Sequence, residues 1–293
     1  MHQPSPDDKR RALRARLNAP GAVVAPGVFD MISARIADRA GFDLIYMTGY
    51  GVAASHLGLP DAGLATYSDM RDRAATIAGG TVTPLIADGD TGFGGLLNVD
   101  HTVRGYEAAG VCGIQLEDQE FPKKCGHTPG RRVIPAEDMV AKIRVAVEAR
   151  TSPDFLIVAR TDSLAGLGVD EALRRAEMYD AAGADVLFVE SPESLEQMER
   201  IGKVTEKPLV ANMVEGGSTP VLPPDELAAL GFRLLLHPAT GFLAMAAALE
   251  DAYGALRSNG GSQSVADRLY DFDAFSRLMG FERVWDFDRR HGS

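Results

Sequence analysis

Two acidic pairs are placed where they could hold a metal ion. Asp88-Gly89-Asp90, followed by Thr91-Gly92-Phe93-Gly94-Gly95, sets two carboxylates in a glycine-rich turn, and Glu117-Asp118 sets two more behind an apolar run. Hard carboxylate oxygens with no His or Cys beside them suit Mg²⁺ or Mn²⁺ rather than Zn²⁺. Mg²⁺ keeps part of its water shell, so some of these acids would act through water.

A second group lies in the segment Glu120-Phe121-Pro122-Lys123-Lys124-Cys125-Gly126-His127-Thr128-Pro129-Gly130-Arg131-Arg132, a long basic loop in an acidic protein. Cys125, flanked by Lys124 and close to His127, is expected to have a lowered pKa and to serve as proton donor or nucleophile. Loops of this kind over a barrel mouth often act as lids. Arg160, directly after the run Phe155–Ala159, is placed to hold a substrate carboxylate bidentately, with a salt bridge to Asp162 or Glu190 as its structural alternative. His237 and His56 read as hydrogen-bonded structural residues, and Cys112 as core.

These residues depend on the elements that carry them. Eight short apolar runs, at 23–25, 44–47, 84–87, 113–116, 155–158, 186–189, 209–211 and 233–236, alternate with helical patterns such as 31–40, 98–109, 136–149, 170–182 and 224–230. Gly41, Gly110, Gly183 and Gly231 fall where helix ends favour a left-handed residue. Such alternation implies parallel strands joined by crossovers, and eight units is the (β/α)₈ TIM-type barrel number. An open doubly wound sheet would gain support from a glycine-rich phosphate turn after the first strand, but Pro26-Gly27-Val28-Phe29-Asp30 is not one. Nearly every run ends in a polar residue: Asp30, Thr48, Asp88 and Asp90, Glu117 and Asp118, Arg160 and Asp162, Glu190, Asn212 and Glu215, His237 and Thr240. A single one could merely cap the next helix, but in a barrel all eight strand ends converge on one face.

The chain has 293 residues, within the range of one barrel, and 45% hydrophobic with 24% charged residues is an ordinary globular balance. A net charge of −11 argues against nucleic-acid or anionic-membrane partners but leaves room for a small anionic substrate beside a local cationic cluster. The two cysteines read as reduced thiols, and neither a signal peptide nor a run of about 18 apolar residues is found. A cytoplasmic protein is the expectation.

The chain resembles the isocitrate lyase/phosphoenolpyruvate mutase superfamily along nearly its whole length. The resemblance rests on Tyr46-Met47-Thr48-Gly49-Tyr50-Gly51, Leu57-Gly58-Leu59-Pro60-Asp61, Ala87–Gly94, Leu116-Glu117-Asp118-Gln119, Lys123–His127, Ala159-Arg160-Thr161-Asp162 and Asn212-Met213-Val214-Glu215-Gly216-Gly217. The Lys-Cys-Gly-His loop is similar to the 2-methylisocitrate lyase-like branch. Val189-Glu190-Ser191-Pro192 and Asn212–Gly217 are closer to dimethylmalate lyase, petal death protein and carboxyphosphonoenolpyruvate mutase, and Tyr50 stands where the methylisocitrate lyase pattern commonly has glycine.

That resemblance implies that Asp88 ligates Mg²⁺ (Mn²⁺ as a substitute) while Asp90 and Glu117 hold its waters. It implies that Tyr46, Thr48, Gly49, Arg160, Glu190 and Asn212 bind a 2-oxo or 2-hydroxy acid. Cys125 exchanges a proton with the enolate-like product, Lys123 and His127 share its catalytic loop, and Asp61 lies in a mobile segment that closes near the substrate. The expected activity is Mg²⁺-dependent C–C cleavage of a substituted malate or isocitrate to pyruvate or glyoxylate plus a carboxylate. A phosphonopyruvate or carboxyphosphonoenolpyruvate mutase, or an oxaloacetate hydrolase or decarboxylase, is the alternative; a non-catalytic acid binder fits the intact acidic cluster least. Residues 1–293 are expected to form one barrel domain with an N-terminal helix and a helical extension from about 258, after a linker at 258–262. Phe272, Phe275, Leu278, Phe281 and Trp285 then make one helical stripe. Family resemblance suggests that these helices are exchanged between barrels in a homotetramer, a dimer of dimers.

Overall fold

The computed structural model describes residues 4–128 and 130–292. Eight parallel strands close into a barrel in sequence order, β1 (Val23–Val28), β2 (Ile45–Met47), β3 (Leu85–Asp88), β4 (Gly113–Glu117), β5 (Leu156–Thr161), β6 (Val186–Val189), β7 (Leu209–Asn212) and β8 (Phe232–His237), with β8 pairing back to β1. The helices are α1 (Pro6–Asn18), α2 (Met31–Ala40), α3 (Gly49–Val52), α4 (Tyr67–Gly80), α5 (Leu96–Ala108), α6 (Ala136–Ala149), α7 (Leu164–Leu167), α8 (Val169–Ala181), α9 (Leu195–Ile201), α10 (Pro224–Ala229), α11 (Thr240–Asn259), α12 (Phe272–Leu278) and α13 (Phe281–His291). The expected (β/α)₈ fold is therefore present.

β2 to β7 are buried along their whole length, as parallel strands covered on both faces must be. That is why their sequences read as continuous apolar runs rather than alternating ones. The helix-ending glycines Gly41, Gly110, Gly183 and Gly231 all have positive φ, between 81° and 105°. Asp30 caps α2 and Thr66 caps α4 through side-chain bonds to backbone N–H groups, so for Asp30 the capping role is the one realised.

α1 lies across the N-terminal ends of the strands. Its Leu13 and Leu17 join the core with Val23, Leu44, Leu156 and Leu234, while Lys9 and Arg10 reach backbone carbonyls of Ala78, Thr81, Glu107 and Val111.

The chain divides into two compact units, residues 1–241 and 242–293. The second differs from expectation in detail. α11 is continuous through to Asn259, so helix precedes the expected linker and occupies its first two positions. The stripe from Phe272 to Trp285 is two helices instead of one, because Gly280 at φ 93° separates α12 from α13. Tyr253, Phe272, Phe281, Val284, Trp285 and Phe287 are exposed. Among the described residues, no helix is long and apolar enough to cross a membrane.

Candidate active site

The C-terminal strand ends bring the acidic pairs together. Register sets Asp88 opposite Gln115 and Glu117 opposite Arg160, so β3, β4 and β5 present their functional groups side by side. Asp88 is fixed by three donors: Gly49 N to Oδ2 (3.2 Å), Asp90 N to Oδ1 (3.0 Å) and, more weakly, Gln115 Nε2 to Oδ1 (3.4 Å). Tyr46 donates to Gln115 Oε1 at 2.8 Å, and Tyr106 donates to the Asp88 carbonyl at 3.0 Å. Gly49 is required here: a Cβ would stand 2.5 Å from Asp88 Oδ2. Thr48 donates its N–H to Val28 and accepts from Gly51 N, capping the short α3.

Asp90 adopts the left-handed region at φ 48°, a strained backbone of the kind found at functional sites. Lys142 steadies the next residue by donating to Thr91 O at 2.8 Å. Burial pushes the Asp90 carboxyl up to about 7, against the pull of Lys123, whose Nζ lies 2.7 Å from Asp90 Oδ1 and 2.5 Å from Asp61 Oδ1. Burial would depress the Lys123 ammonium, but Asp90 and Asp61 outweigh it and keep it charged. Burial likewise drives Glu117 well above the usual carboxylate range in spite of Arg160.

Glu117, the last residue of β4, and Asp118, which follows it, have opposite fates. Glu117 faces the mouth, with Oε2 3.5 Å from Arg160 Nε. Asp118 faces the helix layer and accepts from Thr161 Oγ1 (2.7 Å), Asp162 N (2.9 Å), Arg175 Nη1 (2.9 Å) and Tyr179 OH (2.7 Å). Alternation along a strand sends neighbours to opposite faces. Arg160 lies within β5 rather than after it. Its Nε and Nη2 are gripped by Asp162 at 2.8 Å each, Nη1 lies 3.0 Å from Glu190 Oε2, and the guanidinium stacks over Phe188 at 5.0 Å. Both salt bridges weighed as its structural alternative are therefore present, and the Nε edge is already occupied.

The loop at 120–132 packs down on this cluster. Its base is closed by a bridge between Gln119 and Val133, and Gln119 brackets Lys124 through N (3.0 Å) and O (2.8 Å). Gly126 sits so close that a Cβ would come within 2.2 Å of Arg160 Nη2, and its carbonyl accepts from Ser191 Oγ at 2.8 Å. His127 Nδ1 faces Ser218 N at 3.4 Å, and Nε2 lies 3.4 Å from Asn212 Nδ2 and 3.5 Å from Glu190 Oε1. Asn212 Nδ2 donates to Glu190 Oε2 at 3.1 Å. Arg131 donates to Asp162 Oδ1 at 3.0 Å.

The expected lowering of the Cys125 pKa is corrected. Burial raises the thiol, with Asp61 and Glu190 adding to it; Lys124 Nζ is directed to Gly130 O instead. Cys125 N donates to Asp61 O at 3.1 Å, and the half-buried thiol is pushed toward its protonated form. Cys112 is fully buried as expected. His56 contacts Asp69 and Arg73 at the surface, and His237 lies 3.8 Å from Glu215, so neither bonds to the cluster.

The donor set was tested for fit to a divalent cation. Glu117 Oε1 is buried without a hydrogen bond, and Asp90 Oδ1, also buried, meets the Lys123 ammonium at 2.7 Å. Two buried carboxylates resisting ionisation are a setting that a divalent cation relieves. Among the described residues no three acidic, His or Cys side chains are drawn to full ligating separation, which a largely hydrated Mg²⁺ does not require.

Sequence reasoning missed Gln115, Tyr106, Ser191, Ser218, Lys142 and Arg131 as site residues. Gln115 could have been found, as the polar residue inside the apolar run Gly113-Ile114-Gln115-Leu116.

The chain and its barrel are similar to known enzymes. A family model described as phosphoenolpyruvate phosphomutase matches residues 13–257, and the chain belongs to the phosphoenolpyruvate mutase/isocitrate lyase superfamily. It is 46% identical over 281 residues to 2,3-dimethylmalate lyase of Eubacterium barkeri, covering 96% of this chain and 97% of that protein. A solved oxaloacetate acetylhydrolase bound to 3,3-difluorooxalacetate superposes with a TM-score of 0.93 at 36% identity, covering 99% of each chain. A phosphonopyruvate hydrolase solved with oxalate and Mg²⁺ gives 0.88 at 31%, covering 97% and 99%.

Proposed function

We propose that the protein is a Mg²⁺-dependent carbon–carbon lyase that cleaves a substituted malate-type 2-hydroxy acid into a 2-oxo acid and a carboxylate. The observation that carries this reading is the buried, unbonded Glu117 Oε1 beside an Asp90 carboxyl paired with Lys123, next to Arg160 and the half-buried Cys125 thiol. Asp88, Asp90 and Glu117 would hold the ion, Mn²⁺ serving as substitute, and the ion supplies positive charge for the substrate's carboxylate and C2 oxygen.

This chain's own groups do the rest. Arg160, with Tyr46, Thr48, Gly49, Glu190 and Asn212 around it, holds the carboxylate end. As a general base takes the C2 hydroxyl proton, the O–H electron pair forms the C2=O bond, and the C2–C3 bond breaks with its pair passing to the departing fragment. Cys125 gives its S–H proton to that carbon, and burial under the loop keeps water from doing so first. Lys123 and Asp61 fix the loop carrying the thiol, and His127 pins its far side to Ser218. The dimethylmalate lyase and oxaloacetate acetylhydrolase relatives support the substrate class. The acidic surface supports a cytoplasmic small-molecule enzyme over a nucleic-acid or membrane binder. The exposed apolar side chains of residues 242–293 support a homotetramer built by helix exchange.

The test is a panel of substituted malates, oxaloacetate and phosphonopyruvate with Mg²⁺, read by 2-oxo acid and oxalate release. A substituted malate should give the fastest turnover, and Cys125→Ser should cut it by about 10²–10⁴ while leaving oxalate binding nearly unchanged. Oxalate plus acetate from oxaloacetate alone would mark a hydrolase, rearranged phosphonate a mutase. Near-normal turnover in Cys125→Ser would remove the thiol from the mechanism.

A further inference from the structure

We propose that Arg131 is a positioning residue that ties the loop bearing Cys125 to the Asp162–Arg160 clamp, so that loop closure and substrate-carboxylate binding reinforce each other. The inference rests on the reading of Arg160 as the carboxylate-binding group.

Two neighbouring arginines in the same loop behave differently. Arg132 is 79% exposed and pairs with Glu120 at the surface, whereas Arg131 is only 8% exposed and reaches the fully buried Asp162. Taking a guanidinium out of water is costly unless a charged partner meets it, and Asp162 Oδ1 at 3.0 Å does so. That same oxygen accepts from Arg160 Nη2 at 2.8 Å. One carboxylate is therefore shared by an arginine of the loop and the arginine of the barrel. Asp162 cannot move away from this contact, because its N–H is held by Asp118 Oδ1 and Asp118 is held in turn by Arg175 and Tyr179.

The sharing has an electrostatic consequence. With Arg131 in place, Asp162 is divided between two cations, and Arg160 keeps more positive charge for an incoming carboxylate. With the loop lifted, Asp162 neutralises Arg160 more completely. Coupling of this kind is reciprocal: an anion on Arg160 must favour the closed loop by the factor through which closure favours the anion. The loop's other link to Arg160 is longer, through His127 Nε2 at 3.5 Å from Glu190 Oε1, whose second oxygen lies 3.0 Å from Arg160 Nη1; Lys123 bonds the acidic side of the mouth instead.

Cys125 gives a direct readout, because the other thiol, Cys112, is fully buried. Alkylation by iodoacetamide without ligand and oxalate affinity with Mg²⁺ would be measured on wild type, Arg131→Gln, Arg131→Lys and Arg132→Gln, each checked by thermal melting. Arg131→Gln should react about fivefold faster or more, and bind oxalate about fivefold more weakly or worse. Arg131→Lys should recover part of both, since it restores the charge without the planar fork. Arg132→Gln should match wild type in both. Wild-type alkylation rate or wild-type oxalate affinity in Arg131→Gln would overturn the tie. If wild type fails to bind oxalate while the ligand-free difference in alkylation persists, the proposed substrate class falls and the loop tie stands.

Discussion

At the floor of the barrel, the buried carboxylate of Glu107 accepts from Thr151 N, Thr151 Oγ1 and Ser152 N within 2.6–2.8 Å, and Arg10 of α1 stands 3.8 Å away. At the mouth, Glu117 Oε1 is equally buried and accepts no hydrogen bond, and Asp90 Oδ1 meets the Lys123 ammonium at 2.7 Å. Among the described residues the floor shows no buried acid oxygen without a hydrogen bond. Asp38 and Asp185 there likewise accept from Val82, Thr83 and Ile157 backbone N–H groups. A floor carboxylate substitutes for missing backbone partners at the strand starts, so its charge is matched within the chain. At the mouth, Lys123 is shared by Asp61 and Asp90, and Arg160 by Glu117, Asp162 and Glu190, so the acids outnumber the cations that meet them.

The largest effect should come from the mouth. Glu117→Gln should abolish turnover, as should a chelator on the wild type, with Mg²⁺ or Mn²⁺ restoring only the latter. The same variant should keep or gain stability against urea, since a neutral amide replaces a carboxylate that burial already opposes. Full activity in metal-free enzyme, or a loss of more than about 2 kcal/mol of stability in Glu117→Gln, would erase the contrast.

The floor should answer in the opposite way. Glu107→Ala strands two backbone donors and leaves Arg10 facing only Asp7 and carbonyls, and should cost about 3 kcal/mol of unfolding free energy. Activity per folded molecule should hold within about twofold, because Glu107 touches no group at the mouth. A large fall in turnover with unchanged stability would mean that the two ends are not separable.

The smallest effect belongs to the outer wall. Glu171 on α8 is drawn down to about 2, from 4.5, by a hydrogen bond from Arg174, with burial opposing and Arg175 assisting. A depressed carboxyl contributes stability above pH 4.5 that disappears as pH falls toward 2. Solvent screening at this part-exposed helix face holds the amount below about 0.5 kcal/mol. Glu171→Gln should therefore lower the melting temperature slightly at pH 7 and not at all near pH 2. An equal shift at both pH values would show that the pair is not electrostatic.

The sequence by itself determined the barrel and the ring of strand-end groups. Eight buried runs separated by helices with terminal glycines leave parallel closure as the economical arrangement, and closure carries Asp88, Glu117, Arg160, Glu190 and Asn212 to one face whatever their side chains do. It could not say that Cys125 is protonated, because that depends on how deeply the loop buries the thiol and on Lys124 turning away. Nor could it separate Glu117 from Asp118. Alternation says that adjacent residues at the end of β4 point opposite ways, but both faces of a barrel strand are buried, so neither direction is marked by hydrophobicity. Only the tertiary structure, by setting Arg160 beside one and Arg175 with Tyr179 around the other, made Asp118 a satisfied buttress and left Glu117 with one oxygen unbonded.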